Sequence, residues 1–238
     1  MQSVVSLSGL DIEPLRAKLA EIPQAFEKSK LYVSETDEKI VDESIRTSRY
    51  RAIKDSGLFD CVETYVNILN QRPDNNFIYY LQRNDVTHII YDQGGFFKGH
   101  RDYLSLTSNL LEEHTMIICI TPEEVATGTR GGETILHHRH SLTGDKHTKF
   151  SETVTPGSAL VFRKDLEHEG SLIEVGEKHV VTTNLYAMRK DSSPDQVLLL
   201  QFSNLETSRL STSNKISGHD KSLMHSAGEK RSSLSDPE

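Results

Sequence analysis

The feature that most constrains the fold is a series of short runs with β-strand patterning in the middle of the chain. Eight such runs occupy residues 77–81, 86–91, 115–121, 132–137, 153–155, 159–163, 170–173 and 179–187. Many short strands separated by turn-forming residues are typical of a β-sandwich or jelly roll. Apolar residues recur at helical spacing in two earlier stretches, 12–26 after the candidate cap Asp11 and 58–71 before Pro73. We therefore predict a mainly β fold with N-terminal helices packed on one sheet.

The composition divides the chain into three parts. Residues 1–39 are predicted to form an N-terminal helical segment that packs on the core, and residues 40–202 are predicted to form the core domain itself. Residues 203–238 contain ten serines, charges of both signs and no aromatic residue. Such a segment buries too little apolar surface to offset the entropy cost of ordering, so we expect a disordered tail.

Charge and hydropathy limit which binding partners the chain is expected to have. The formal net charge is −8 and the pI is near 5.8, whereas a general nucleic-acid binder carries a basic stripe, so no nucleic-acid partner is expected. No apolar run is long enough for a membrane span, and the N-terminus lacks the pattern of a signal peptide. We therefore expect no membrane partner and an intracellular location, cytoplasmic or nuclear. Cys61 and Cys119 are expected to be buried thiols and not a disulfide.

A glycine-rich stretch, YDQGGFFKGHRDY at residues 91–103, carries His100 and Asp102 two positions apart. In a β-strand, residues two apart point to the same face, so this imidazole and this carboxylate would converge. Alone, such a pair is more often a solvated polar face than half of a metal site. His168 follows the β-type run SALVFR and offers a third ligand on a different strand. Two histidines and one carboxylate on one face of Fe(II) leave positions open for substrate and oxygen.

Lys178 follows His168 by ten residues, across a turn centred on Gly176. A strand, a turn and a returning strand would bring the lysine ammonium back alongside the metal. There it could hold the far carboxylate of a short dicarboxylic acid as a point charge. The alternative interpretation is a solvated lysine in a β-turn.

Taken together, these stretches resemble the 2-oxoglutarate- and Fe(II)-dependent dioxygenases of the prolyl 4-hydroxylase-like family. Four matching stretches occur in the order of the family: Y-x-x-G-x-x-F-x-x-H-x-D from Tyr91 to Asp102, GGET at 131–134, PGSALVF at 156–162, and His168 with Lys178 after it. The similarity covers roughly residues 40–190. It implies that the jelly roll is a double-stranded β-helix.

The resemblance also implies a reaction and its site residues. It assigns Fe(II) to His100, Asp102 and His168, and 2-oxoglutarate to Lys178, Tyr91 and Thr182, with Lys178 on the C5 carboxylate. The reaction would use O2 to decarboxylate 2-oxoglutarate to succinate and CO2 and would insert one oxygen atom into a C–H bond. Ascorbate would support turnover. No catalytic residue beyond the metal ligands is implied.

The substrate is less specified than the reaction. A prolyl residue of a peptide or protein is the leading substrate by resemblance. A free amino acid or small metabolite is an alternative within the enzymes. An inactive double-stranded β-helix that serves as a binding module is an alternative of a different class, although the ordered triad with Lys178 argues against it.

Two further polar clusters have competing interpretations. The histidine-rich segment 136–147, LHHRHSLTGDKH, could bind Zn²⁺ or Ni²⁺, but its basic residues would repel a cation. A solvated loop that borders the substrate mouth is the alternative. Arg46, Arg49 and Arg51 form either a solvated face or a rim that guides an acidic substrate.

Overall fold

A computed structural model describes residues 4–33, 38–84, 86–104, 111–139, 146–152 and 155–191. The chain divides into two units, Met1–Lys190 and Asp191–Glu238, and every helix and strand described below belongs to the first. The predicted disordered tail, 203–238, lies outside the described residues.

Helices and strands follow one another along the described residues. The helices are α1 (Glu13–Ala20), α2 (Ser56–Gln71) and α3 (Glu123–Ala126). The strands are β1 (Val4–Leu7), β2 (Glu27–Lys28), β3 (Leu31–Val33), β4 (Glu38–Ile40), β5 (Arg46–Thr47), β6 (Arg49–Ile53), β7 (Phe77–Leu81), β8 (Val86–Tyr91), β9 (Phe96–His100), β10 (Glu112–Cys119), β11 (Arg130–Gly131), β12 (Thr134–Arg139), β13 (Lys146–Glu152), β14 (Ala159–Arg163), β15 (Glu167–Gly170), β16 (Ile173–Val175) and β17 (Lys178–Arg189).

Two antiparallel sheets form the body of the fold. The larger has eight strands in the order β1, β14, β10, β17, β8, β6 and β2, with β7 also paired to β17. The smaller has five strands in the order β13, β12, β15, β9 and β5. Short two-stranded sheets pair β11 with β16 and β3 with β4. The predicted mainly β fold with N-terminal helices is confirmed.

The helices α1 and α2 pack against one face of the larger sheet. α2 begins at the cap Asp55, whose carboxylate accepts a hydrogen bond of 2.9 Å from the backbone N–H of Leu58. Leu58 of α2, Leu15 of α1 and Val181 of β17 belong to one buried cluster. Replacing a fully buried leucine such as Leu58 with alanine would cost about 2–5 kcal/mol. Within the described ranges, no helix combines the length and the apolar character that crossing a membrane requires.

The N-terminal region holds more strand than the sequence predicts. The expected helix over 12–26 ends at Ala20, and Arg51 donates hydrogen bonds to the carbonyl oxygens of Leu19 (2.9 Å) and Ile22 (2.7 Å) at that end. The prediction that strands begin at residue 77 was wrong, because β1 to β6 precede α2. β1 is an edge strand of the larger sheet, paired with β14. The predicted helical segment 1–39 therefore contains α1 together with strands.

Later in the chain the agreement is closer. The runs at 77–81, 86–91 and 159–163 are strands with those bounds, and the run at 179–187 lies within β17. The run at 170–173 is split between β15 and β16. The described part of the run at 153–155, residue 155, is not in a strand.

Candidate active site

Three predicted metal ligands meet at the smaller sheet. β9 and β15 are antiparallel neighbours, and His168 lies opposite His100 in their register. Asp102 Oδ1 is 3.7 Å from His100 Nε2 and 3.8 Å from His168 Nε2. One ligand atom from each residue lies within 4.8 Å of the other two. This spacing fits a single metal ion bound by all three side chains.

The backbone positions Asp102 near the two histidines in a different way from the one that the sequence predicts. The His-x-Asp spacing predicts both side chains on one strand, but β9 ends at His100 and Asp102 lies beyond it. There the backbone N–H of Asp102 donates to the carbonyl oxygen of Lys164 at 3.1 Å. Thr115, on β10 of the larger sheet, donates its hydroxyl to Asp102 Oδ2. The carboxylate is therefore oriented by the opposing sheet as well as by its own segment.

The backbone sets the tautomer of both histidines. His100 Nδ1 lies 3.0 Å from the carbonyl oxygen of Lys98, and His168 Nδ1 lies 3.0 Å from that of Leu166. A carbonyl oxygen only accepts hydrogen bonds, so each Nδ1 carries the proton and donates it. In its neutral form, each ring then presents a lone pair on Nε2, which is the atom a metal requires.

The protonation states also suit a metal ion. Burial opposes ionisation of Asp102, but contacts with His100, His168 and Thr115 outweigh it and lower the pKa of this carboxyl to about 2. Burial lowers the pKa of the His168 imidazole and keeps that ring neutral. Two lone pairs and a carboxylate oxygen thus converge, an arrangement of three acceptors that a cation would relieve.

All six predicted site residues line one cavity of about 620 Å³ between the two sheets. The predicted residues from the larger sheet are Tyr91 on β8 and Lys178 and Thr182 on β17. Lys178 is paired with Tyr91 in the sheet register, and Thr182 lies on the same side of β17, four residues along. The structure therefore brings the predicted cosubstrate residues and the predicted metal ligands to the same space.

The Lys178 ammonium is buried and has no carboxylate bonded to it among the described residues. It donates to the carbonyl oxygen of Gly132 at 2.5 Å and lies 3.5 Å from the hydroxyl of Thr134. Burial lowers its pKa from 10.5 to about 8, while Cys119 and Glu133 act weakly in the opposite direction. A buried ammonium with only neutral hydrogen-bond partners is a site for an anion.

The GGET motif has a steric explanation at this position. Gly132 has a φ of +78°, a conformation that favours glycine. A Cβ added there would lie 2.2 Å from Ile173 Cδ1 and 3.4 Å from Lys178 Cδ. Glycine therefore lets the backbone approach the lysine closely enough for the carbonyl to accept its hydrogen bond.

Several cavity residues were not predicted from the sequence. Thr115 is one, although its alternation with buried Met116 and Ile118 on β10 is a signal that it faces the other side of the sheet. Phe97, the aromatic residue of the motif that ends at Asp102, also lines the cavity, and its ring stacks on His100 with centroids 3.5 Å apart and planes 18° from parallel. Lys164 lines the cavity as well and forms a buried ion pair with a neighbouring strand.

The structure places the members of the two polar clusters with competing interpretations in different surroundings. Arg46 lines the cavity, Arg49 forms an ion pair with Asp92 at 2.7 Å, and Arg51 is buried at the end of α1. In the histidine-rich segment, His137 Nε2 lies 3.6 Å from a carboxylate oxygen of Glu169. The side chains of residues 138–147 lie outside the described part of the chain, so the Zn²⁺ or Ni²⁺ alternative stays a prediction.

Comparison with solved structures identifies the fold. The chain is similar to the carbocyclase SnoK of nogalamycin biosynthesis (TM-score 0.53, 15% identity, 83% of this chain and 86% of that one). It is also similar to a prolyl hydroxylase from Trichoplax adhaerens bound to a hypoxia-inducible-factor peptide (TM-score 0.52, 13% identity, 81% of this chain and 89% of that one). A third similar structure is a 2OG-Fe(II) oxygenase-family oxidoreductase from Burkholderia pseudomallei (TM-score 0.51, 11% identity, 80% of this chain and 88% of that one). The fold is that of the 2-oxoglutarate and Fe(II) oxygenases. The predicted jelly roll is thereby confirmed as an oxygenase fold.

Comparison of sequences gives less information about this chain than comparison of structures does. No protein-family model matches the chain. An uncharacterized protein of fowlpox virus is 23% identical over 181 residues, which are 76% of this chain. The chain spans about 40% of the length of that curated relative.

Proposed function

We propose that this chain is a 2-oxoglutarate- and Fe(II)-dependent oxygenase that inserts one oxygen atom into a C–H bond of its substrate. One observation carries the proposal. The His100, Asp102 and His168 cluster lies in the same cavity as the buried ammonium of Lys178. A metal site alone would suit many proteins, whereas a metal site combined with a buried cation for a carboxylate suits a chelating diacid.

The residues present fit Fe(II). Two neutral imidazoles and one ionised carboxylate form the donor set that non-haem iron oxygenases use, and it leaves coordination positions open. The hydrogen bonds from each Nδ1 to a backbone carbonyl orient the rings before any metal arrives. Bound together, iron, 2-oxoglutarate and O2 would supply oxidative decarboxylation to succinate and CO2, with ascorbate as a supporting reductant.

The remaining residues of the cavity bind and orient. Lys178 would hold the C5 carboxylate of 2-oxoglutarate, and Tyr91 and Thr182 would offer hydroxyl hydrogen bonds to the same molecule. Apolar side chains of the larger sheet, Ile117 and Val180, also line the wall. Apolar walls keep bulk water from the reacting atoms and strengthen the charge interactions inside the cavity.

We propose a prolyl residue of a peptide or protein as the substrate. The Trichoplax adhaerens hydroxylase of the same fold, which binds a peptide fragment, supports a peptide as substrate. A free amino acid or small metabolite is the second candidate, because the fold is shared with the carbocyclase SnoK. A binding module without activity would keep the cavity but release no succinate.

Anaerobic reconstitution followed by exposure to O2 tests the proposal. We expect one Fe(II) per chain, and 2-oxoglutarate-dependent succinate release that His168→Ala abolishes. Arg49→Gln is the matched control, because its guanidinium pairs with Asp92 and does not line the cavity. Mass spectrometry of a lysate treated with the loaded enzyme would then seek peptides heavier by one oxygen atom. A wild-type protein that binds iron and 2-oxoglutarate but never yields succinate would support the binding module instead.

A further inference from the structure

The cavity wall is positively charged on a negatively charged protein. The formal net charge of the chain is −8. The basic side chains of the wall are Lys30, Lys39, Arg46, Lys164 and Lys178, and its acidic side chains are Asp102 and Glu169. Charges of one sign gathered in a cleft attract ligands of the opposite sign and raise their rate of association.

Most of these charges are already compensated. The ion pairs are Lys30 with Glu27 (3.1 Å) and Lys164 with Glu113 (3.5 Å), and a carboxylate oxygen of Glu169 lies 3.6 Å from His137 Nε2. In the proposed function, Asp102 binds the iron and Lys178 binds the C5 carboxylate of 2-oxoglutarate. Arg46 and Lys39 remain, and neither forms an ion pair with a carboxylate in the part of the chain that the structure describes. Two uncompensated cations therefore face the cavity after the cosubstrate is accounted for.

Arg46 is held in a defined position by Phe97 and Ser48. Its guanidinium carbon lies 4.4 Å from the centroid of the Phe97 ring, which in turn stacks on His100 at 3.5 Å. Arg46 Nε donates to the Ser48 hydroxyl at 2.9 Å, which fixes the plane of the group. The terminal nitrogens of a fixed guanidinium suit a carboxylate with two parallel hydrogen bonds.

Phe97 connects this cation to the predicted iron ligand His100. The guanidinium of Arg46 and the imidazole of His100 both contact the Phe97 ring. A carboxylate held by Arg46 would thus share the cavity with the substrate carbon presented to the iron. Lys39, on β4, adds a second positive charge to the same wall.

We propose that Arg46 and Lys39 form a substrate subsite for a carboxylate, and that the substrate is a peptide with an acidic side chain close to the oxidised residue. This inference rests on the proposed function and specifies the substrate class of that same site. The cavity of about 620 Å³ is large enough to take 2-oxoglutarate together with a substrate side chain and its neighbour. Long-range charge attraction would bring the carboxylate to the subsite, and paired hydrogen bonds from the Arg46 guanidinium would then hold it.

Peptide binding to the protein loaded with Fe(II) and 2-oxoglutarate, kept anaerobic, tests the subsite. The probes are three fluorescent peptides with one central proline flanked by aspartates, asparagines or lysines. We expect the aspartate peptide to bind on the order of tenfold more tightly than the asparagine peptide, and the lysine peptide most weakly. The preference should shrink as salt is raised, because the subsite lies at the exposed end of the cavity wall.

Variants assign the preference to residues. Arg46→Gln combined with Lys39→Gln should bind the aspartate and asparagine peptides equally, whereas Arg46→Lys should keep part of the preference. Arg49→Gln should keep all of it, because Arg49 already pairs with Asp92. Iron and 2-oxoglutarate binding are measured first on every variant, so loss of folding or failure of the proposed function is seen before any peptide is added.

Three outcomes would overturn the inference. One is equal affinity of the wild type for the three peptides, and another is an aspartate preference that survives the double substitution. The third is binding of free N-acetylaspartate as tight as that of the aspartate peptide, which would indicate a small acidic substrate in place of a peptide. The expected pattern supports a carboxylate subsite at Arg46 and Lys39.

Discussion

Replacing Lys178 with methionine should weaken 2-oxoglutarate binding by about two to three orders of magnitude while iron binding persists. Burial lowers the pKa of this ammonium from 10.5 to about 8, which corresponds to a penalty of about 3 kcal/mol in the empty cavity. A bound carboxylate would relieve that penalty. Breaking a buried charge pair by removing one partner costs about 3–5 kcal/mol, and each 1.4 kcal/mol is about tenfold in affinity.

A double-mutant cycle with a trimmed ligand isolates this contact. Anaerobic titration into the Fe(II) protein, followed by the metal-to-ligand charge-transfer band, gives the affinity for 2-oxoglutarate and for 2-oxopentanoate, which lacks the C5 carboxylate. We expect the wild type to lose affinity for the trimmed ligand about as strongly as Lys178→Met loses it for 2-oxoglutarate. The variant should then hardly distinguish the two ligands. Unchanged 2-oxoglutarate affinity in Lys178→Met would refute the reasoning.

Four further outcomes are expected. His168→Ala should lower the iron stoichiometry measured by metal analysis from one per chain toward zero, and retention of one tightly bound iron would remove His168 from the site. Thr115→Val removes a hydrogen bond to the carboxylate ligand and should weaken iron affinity about 10–100-fold in a competition with a chelator; an unchanged affinity would contradict this role. Gly132→Ala places a methyl group 2.2 Å from Ile173 in a backbone with φ +78° and should lower the free energy of unfolding in urea by about 1–3 kcal/mol, so a variant as stable as wild type would argue against the geometry. In the proposed function 2-oxoglutarate binds the charged form of Lys178, whose pKa is about 8; its affinity should therefore be constant below that pH and fall above it, and a Lys178→Met variant should lack this dependence.

Local patterns predicted which side chains lie together better than they predicted the strands that carry them. His100, Asp102, His168 and Lys178 were found from ligand types and spacing, and the structure brings them into one cavity. The prediction that His100 and Asp102 share one strand was wrong, because Asp102 lies beyond the end of β9. Its position depends on Lys164 and Thr115, contacts between strands far apart in the sequence that no short pattern reveals.

The N-terminal region was harder to predict for a physical reason. β2 and β4 are exposed and strongly charged, with the sequences EK and EKI, so they carry no apolar alternation. The helical spacing that continues to Phe26 was misleading as well, since Phe26 leaves the helix and packs edge-on to His88 at 5.0 Å. In such segments partner strands decide the structure, and the local sequence does not.

The side chains of β17 divide between the cavity and the buried core: Val180, Val181 and Thr182 alternate, and Thr183 and Asn184 also line the cavity. Lys178, Val180 and Thr182 line the cavity, while Val181 and Leu185 belong to the buried core under the helices. A single-residue deletion near the start of this strand would exchange the two faces, turning hydroxyl and amine groups into the core and aliphatic groups toward the predicted metal ligands. Among variants of this chain, we therefore expect β17 to tolerate no change of length between Lys178 and Leu185.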